Sequence, residues 1–157
     1  MLSPAAISGT VPSVPRPATP PLGVLLARTA KTAGQAFDRA LAEVGGSQPV
    51  WQILIALKTR RHASQRELAE AVGIQGATLT HHLDNLEKQG LVRRVDDPTN
   101  RRIQRVELTA SGGRTFLALR DAAMAFDRRL RSGMSDAELG RMRQSFARLA
   151  SNVTKTD

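Results

Sequence analysis

The chain of 157 residues contains no cysteine, which excludes disulfides, cysteine-ligated zinc or iron–sulfur sites, thiolate nucleophiles and thiol oxidation switches. Long apolar runs are absent as well: stretches such as 50–57 are far too short to span a membrane, and no secretory signal pattern opens the sequence. Both absences favour a soluble protein of the reducing cytoplasm. Acidic residues are few, with 14 Asp and Glu against 23 Lys and Arg and a net charge of +9. This excess predicts an anionic partner: nucleic acid, an anionic membrane or an acidic protein.

The length and composition predict one globular domain preceded by a tail. Residues 1–21 hold six of the eight prolines, few large apolar side chains and no hydrophobic periodicity. We therefore expect a disordered segment that lies outside the fold. The domain itself is expected to span 22–157.

Apolar residues at steps of three and four predict helices at both ends of this domain. The first helix starts at Leu22 and carries its apolar stripe as far as Val44, after which a Gly-Gly pair ends it. Two terminal helices are predicted after Thr109 and after Ser135, because each hydroxyl can cap a helix start. Ser135 and Glu138 also have the spacing of a capping box.

Three shorter helices are predicted between these ends. One starts near Pro49 and has the broad apolar surface of a buried helix. The next begins with a second capping box, formed by Ser64 and Glu67, and ends at Gly73. After a tight turn, the last of the three carries leucines on one face, polar residues on the other, and stops at Gly90.

The hydrophobic period then changes from about 3.6 to two, which predicts a β-hairpin. Its strands are expected at 92–95 and 104–108, on either side of a charged tip. Helix, tight turn, helix and charged hairpin together predict a mainly α (α+β) winged helix-turn-helix. Ala69 and Gly73 fit its steric needs, a small residue where the helices cross and a flexible one at the turn. In such a fold the second helix enters the major groove of DNA, and the hairpin reaches the adjacent backbone or minor groove.

The motifs of this fold resemble those of a known family. They lie at 67–74, 77–92, 90–94, 100–102 and 108–112, the last three being G-L-V-R-R, N-R-R and L-T-A-S-G. Over residues 22–153 the chain is similar to the MarR-type (multiple antibiotic resistance regulator) transcriptional regulators. The resemblance implies a homodimer that binds a pseudo-palindromic operator in double-stranded DNA, acts as a repressor and is released by a small-molecule ligand.

The resemblance also implies roles for residues of the helix-turn-helix. Ala77, Thr78 and His81 are expected to face base edges. The expected phosphate contacts, through side chains or the helix start, come from Gln65, Gly76 and Thr80. Gln75 belongs to the same expected DNA-binding set, although it is a poorer helix cap than the Ser or Asp common in the family.

The hairpin is expected to contribute Asn100, Arg101 and Arg102 to DNA binding, with Arg102 in the minor groove. Asn100 replaces an aspartate of the family pattern, so an ion pair to a neighbouring arginine is weakened to a neutral hydrogen bond. For Arg93 and Arg94 we predict structural roles in the strand. Without the resemblance, a solvated charged hairpin is the alternative interpretation of the arginines at its tip.

The long helices at 22–46 and 111–153 are expected to form the dimer, and 49–109 the DNA-binding lobe. The winged helix already has its own core, so these further amphipathic helices need another surface, which a second subunit supplies. The residues expected at the dimer interface are Leu22, Leu25, Phe116, Leu139, Met142, Phe146 and Leu149. A ligand is expected near Trp51 and the first helix, with an ordinary core position for Trp51 as the alternative.

Other functions find little support in the sequence. His81 and His82 point about 100° apart on a helix, so that with only His62 besides them they do not predict a metal site. No spacing identifies a nucleophile with its base, and neither an enzyme nor a cofactor is expected. A second hypothesis remains open, namely a winged-helix module that binds an acidic protein or RNA without recognising a DNA sequence.

Overall fold

The structure, a computed structural model, describes residues 19–59, 63–96 and 104–154. Nine elements follow one another in these ranges. They are α1 (Leu22–Ala42), α2 (Gln48–Thr59), β1 (Ala63–Ser64), α3 (Gln65–Val72), α4 (Gly76–Lys88), β2 (Val92–Asp96), β3 (Gln104–Leu108), α5 (Ala110–Leu130) and α6 (Asp136–Thr154). This is the winged helix-turn-helix expected from the sequence, with α3 and α4 as the helix pair and β2 and β3 as the hairpin strands.

The sheet has three antiparallel strands in the order β1-β3-β2. Val106 in the central strand lies opposite Arg94 of β2 and Ala63 of β1. The sequence did not predict β1, because a strand of two residues is too short to show a hydrophobic period. This strand hydrogen-bonds the start of α3 to the hairpin, so helix pair and sheet form one lobe.

One hydrophobic core joins the lobe to the long helices. Its buried members, all less than one-tenth exposed, are Leu41, Ile53, Leu54, Leu57, Leu68, Leu79, Leu83, Leu86, Val92, Val106, Phe116 and Leu119. The leucines of α4 form the stripe predicted from their spacing, and α2 is the central helix that its broad apolar surface indicated. Leu41 from α1 and Leu119 from α5 bring the two long helices onto this core.

The predicted helix starts are confirmed. Ser64 Oγ accepts a hydrogen bond from the Glu67 backbone N–H, and the Glu67 side chain accepts one from the Ser64 N–H, which completes the capping box. Thr109 caps α5 through the Gly112 N–H. At α6 the Glu138 carboxylate accepts bonds from the Ser135 hydroxyl and backbone N–H, and these bonds lower the pKa of Glu138 below its ordinary value.

The end of α1 differs from the prediction. The helix stops at Ala42, and Val44 lies in the terminating turn, 41% exposed, instead of continuing the apolar stripe. Gly45 follows with a φ of +79°, a left-handed conformation that favours glycine. Gly46 packs so closely on Leu119 that a Cβ there would lie 2.2 Å from its Cδ2. The close approach of Leu119 leaves little room for a side chain at position 46, in the turn that follows α1.

A second correction concerns Phe116, which was expected at the dimer interface. Its side chain is only 8% exposed and stacks on Trp51, with ring centroids 5.6 Å apart and planes within 11°. Phe116 therefore belongs to the chain's own core, and the partly buried Trp51 packs against that core. An aromatic pair in this geometry stabilises the packing of α2 on α5. Trp51 takes the position that the alternative interpretation gave it.

The long helices leave apolar surface uncovered. α1 packs along α5, with the rings of Phe37 and Phe126 5.1 Å apart. In contrast, α6 has no buried residue. Among the helices that the structure describes, none has both the length and the apolar composition needed to cross a membrane.

Candidate nucleic-acid interface

The outer face of α4 is the centre of the candidate site. Ala77, Thr78 and His81 are all exposed, on the side opposite the buried leucines. The polar face that the sequence predicted for base contacts is therefore presented to solvent on a helix whose other side is anchored in the core. Such a helix can enter a major groove without losing its own packing.

The start of α4 is open to an anion. Gln75 occupies the N-cap position in an extended conformation, and its side chain makes no capping hydrogen bond. The first backbone N–H groups of a helix have no partner within the helix, and the helix dipole favours negative charge there. Phosphate oxygens satisfy both requirements.

An open groove of about 680 Å³ separates α3 from α4. Three residues expected at phosphates, Gln65, Gly76 and Thr80, line it together with Gln75 of the same expected DNA-binding set. Two of them come from the start of α3 and the turn, so the fold brings together residues that are up to 15 positions apart in the sequence. The Thr80 hydroxyl donates to the Gly76 carbonyl at 2.9 Å.

Asn85 is a polar neighbour of His81 to which the sequence interpretation gave no role. Its Nδ2 lies 3.3 Å from His81 Nε2, one helical turn away on the same exposed face. The i, i+4 spacing was the signal that could have identified this contact. His82 is half-buried, with its ring centroid 6.1 Å from that of His81. Within the described residues, no three potential metal ligands lie together.

Arg94 joins β2 to the carboxyl-terminal half of α4. Its guanidinium donates to Asp84 Oδ1 at 2.6 Å and also to Glu87 Oε2, while its backbone N–H donates to Glu87 Oε1 at 3.1 Å. Burial of the side chain disfavours its charged form, but the hydrogen bonds and charges of the two carboxylates outweigh this effect and raise the pKa of Arg94. The structural role predicted for Arg94 is confirmed, although its partners were not identified.

The neighbouring arginine has a different partner. Arg93 donates to Glu107 Oε2 at 2.8 Å, across the ladder between β2 and β3. This ion pair agrees with the structural role predicted for Arg93, which stays a prediction. The expected DNA contacts Asn100, Arg101 and Arg102, like His62, lie outside the described residues.

The start of α5 is fitted tightly against the turn that follows α4. The Thr109 hydroxyl donates to the Gly90 carbonyl at 2.6 Å. A Cβ on Gly112 would lie 1.9 Å from the Leu91 carbonyl oxygen, so only glycine fits there. This junction couples the helix of the candidate interface to the long helix that leaves the lobe.

Comparison with known proteins agrees with this architecture. The MarR family model matches residues 47–104, from just before α2 to the first residue of β3. The transcriptional regulator PA3341 is 34% identical, with 83% of this chain and 96% of that chain covered and a TM-score of 0.70. The chain belongs to the MarR family.

Two further solved structures are similar to this chain in fold. The transcriptional repressor CouR, solved with a 23-mer DNA duplex, is 25% identical, with 82% of this chain and 92% of CouR covered and a TM-score of 0.75. A MarR family regulator from Rhodococcus sp. RHA1 is 26% identical over 82% of this chain and 91% of its own, with a TM-score of 0.70. As a MarR-family member, the protein is a DNA-binding transcriptional regulator and not an enzyme.

Proposed function

We propose that this MarR-family protein is a repressor that binds a pseudo-palindromic operator in double-stranded DNA as a homodimer. In this proposal each subunit places α4 in one major groove. The observation that carries it is the exposed polar face of α4 beside the open α3–α4 groove. Base contacts come from Ala77, Thr78 and His81, whereas Gln65, Gln75, Gly76 and Thr80 hold the backbone. A competition gel shift tests it, with duplex from upstream of the protein's own gene against a scrambled duplex of equal length.

Uncovered apolar side chains on α1 and α6 support the homodimer. Those of α1 that are at least 40% exposed are Leu22, Val24, Leu25 and Leu26, and α6 adds Met142 at 39%, Phe146 at 50% and Val153 at 84%. The half-buried Leu139 and Leu149 complete the apolar face of α6. A second copy that brings the same faces covers both helices, because a two-fold interface is self-complementary. We assign 22–46 and 111–153 to dimerisation, with Phe116 excepted, and 49–109 to DNA binding.

A small-molecule inducer is the third part of the proposal. A groove of about 340 Å³, lined among others by Phe37, Gln48 and Phe126, lies between α1, α5 and the start of α2. An apolar groove with a few polar groups suits a small ligand. Because this groove lies beside α1 and α5, a ligand bound in it could release DNA by changing the packing of these two helices. Trp51 contacts Phe116 in the core, so we assign no ligand contact to it.

Replacing His81 by alanine should change sequence preference more than overall affinity. The side chain is exposed on the base-contacting face of α4, and base contacts discriminate by about 1–3 kcal/mol each. Titration of operator and random duplex measures both affinities, and only the operator affinity should fall by such an amount. His82→Ala is the matched control. The role of His81 is contradicted if His82→Ala, and not His81→Ala, changes the sequence preference. It is also contradicted if His81→Ala lowers the affinities for operator and random duplex equally.

Arg102→Ala should weaken operator binding while thermal stability stays the same. One lost phosphate or groove contact lowers the slope of log affinity against log salt by about one unit per subunit. Arg102→Lys is the control, because lysine keeps the charge, and therefore most of the slope, but not the planar fork. Unchanged affinity of Arg102→Ala at physiological salt rules out this contact.

The rival function, a module for an acidic protein or RNA, has a distinct outcome in the gel shift. Such a module binds operator and scrambled duplex equally, because phosphate contacts carry no sequence information. The shape of α4 argues against RNA as the partner. Its exposed face is presented by a helix that fits the major groove of B-form DNA, whereas the major groove of A-form RNA is too narrow for side chains to enter.

A further inference from the structure

The ion cluster of Arg94 with Asp84 and Glu87 has no direct part in the proposed contacts with DNA. The Arg94 side chain is only 17% exposed, whereas that of the adjacent Arg93 is 65% exposed. Two carboxylates three residues apart on α4 converge on the one guanidinium. An arginine that is this enclosed and already paired with two carboxylates has little surface left for a phosphate.

The cluster joins α4 to β2 at a place outside the buried leucine stripe. The leucine stripe fixes one side of the helix in the core. Arg94 adds contacts outside the stripe, toward the carboxyl-terminal end of the helix. Because Glu87 also accepts from the Arg94 backbone N–H, the bond extends to the strand itself and not only to a flexible side chain.

We propose that Arg94 is a positioning residue for DNA recognition: through Asp84 and Glu87 it fixes α4 at the angle to the sheet at which helix and hairpin bind DNA together. The inference rests on the proposed function, because it assumes that α4 contacts base edges. Its effect lies in orientation more than in stability, since ion pairs with partly exposed partners contribute little to folding. A helix held at a wrong angle still meets phosphates but no longer aligns with bases.

Glu87→Gln provides the sharpest test, because two physical effects predict opposite signs. Loss of a negative charge from a lobe that binds a polyanion should tighten binding if only the net charge matters. Loss of a positioning contact should weaken operator binding, on the order of tenfold for a residue that acts through others. Glu70→Gln is the control for charge: it removes a carboxylate that is 67% exposed on α3, pairs with Arg66 and lines the α3–α4 groove, away from the α4–β2 contact. It should therefore tighten binding to both duplexes and leave their ratio unchanged.

Arg94→Met is the second variant, with Arg93→Met as its control in the same strand. We expect Arg94→Met and Glu87→Gln to lower the ratio of operator to random-duplex affinity, and Glu70→Gln and Arg93→Met to leave that ratio unchanged. All variants are measured well below their unfolding temperatures, so that a merely structural loss does not move the ratio. If Arg94→Met fails to fold, the isosteric Glu87→Gln still decides.

Failure of this inference is distinguishable from failure of the proposed function. If the wild-type protein does not prefer operator over random duplex, the proposed function fails. Amide hydrogen exchange in the free protein then tests the bond from the Arg94 backbone N–H to Glu87, because exchange at Arg94 should accelerate in Glu87→Gln. Glu87→Gln that binds operator as tightly as Glu70→Gln overturns the positioning role. A second outcome also overturns it: Arg94→Met lowers the slope of log affinity against log salt by about one unit, while Glu87→Gln has no effect. Arg94 is then a phosphate contact.

Discussion

Gly112→Ala is expected to destabilise the fold by more than about 3 kcal/mol, which is a large part of the stability of a small domain. The added methyl group would lie 1.9 Å from the Leu91 carbonyl oxygen and 2.9 Å from its carbon. Both atoms belong to the backbone, so no side-chain rotation relieves the overlap. Relief requires α5 to move away from the turn after α4, which breaks the Thr109 cap and exposes the core. Urea unfolding followed by circular dichroism measures the loss.

Gly113→Ala is the control for this experiment. The two glycines are adjacent in the first turn of α5, but a Cβ at Gly113 meets nothing within 4 Å. Alanine is favoured over glycine in a helix by about 0.5–1 kcal/mol, so this variant should unfold at a slightly higher urea concentration than the wild type. Equal destabilisation by both substitutions would show that loss of glycine itself, and not contact with Leu91, is responsible.

Local signals explain why much of the fold could be predicted. The capping boxes at Ser64 and Ser135, the cap at Thr109 and the leucine stripe of α4 depend on residues three or four positions apart, and each is present in the structure. Gly112 shows the limit of such signals. The L-T-x-x-G motif marks the position through resemblance, but the reason for glycine is its contact with Leu91, which only the packed structure supplies.

Features that depend on contacts between elements were missed. Phe116 lies on the same apolar stripe as Leu130, yet the first is buried in the chain's own core and the second is 56% exposed. Periodicity gives the face of a helix and not the partner of that face, so a stripe along α5 cannot separate core from interface. In the candidate site, the partners of Arg94 were missed for the same reason, because they lie on another element. The exposed face of α4 was predictable because it follows from the helical period alone.

Phe146→Glu is expected to separate the homodimer. Phe146 is 50% exposed in the single chain, at the middle of the apolar face that α6 presents. A carboxylate there would be buried without a partner in each subunit, and the cost of burying an unpaired charge exceeds what an apolar contact contributes. Sedimentation at micromolar protein should show wild type at twice the mass of one chain and the variant at the mass of one.

Loss of the dimer should also abolish tight operator binding. The two α4 helices of a dimer meet half-sites about 34 Å apart, one turn of the duplex. Binding of the second half-site is then intramolecular, and separate subunits lose an advantage of about a hundredfold or more. Gln144→Glu is the matched control, since Gln144 lies on the opposite, polar face of α6 and takes the same charge. A wild-type protein that sediments as a single chain contradicts the homodimer. If Phe146→Glu remains a dimer and still binds the operator tightly, the interface lies away from α6.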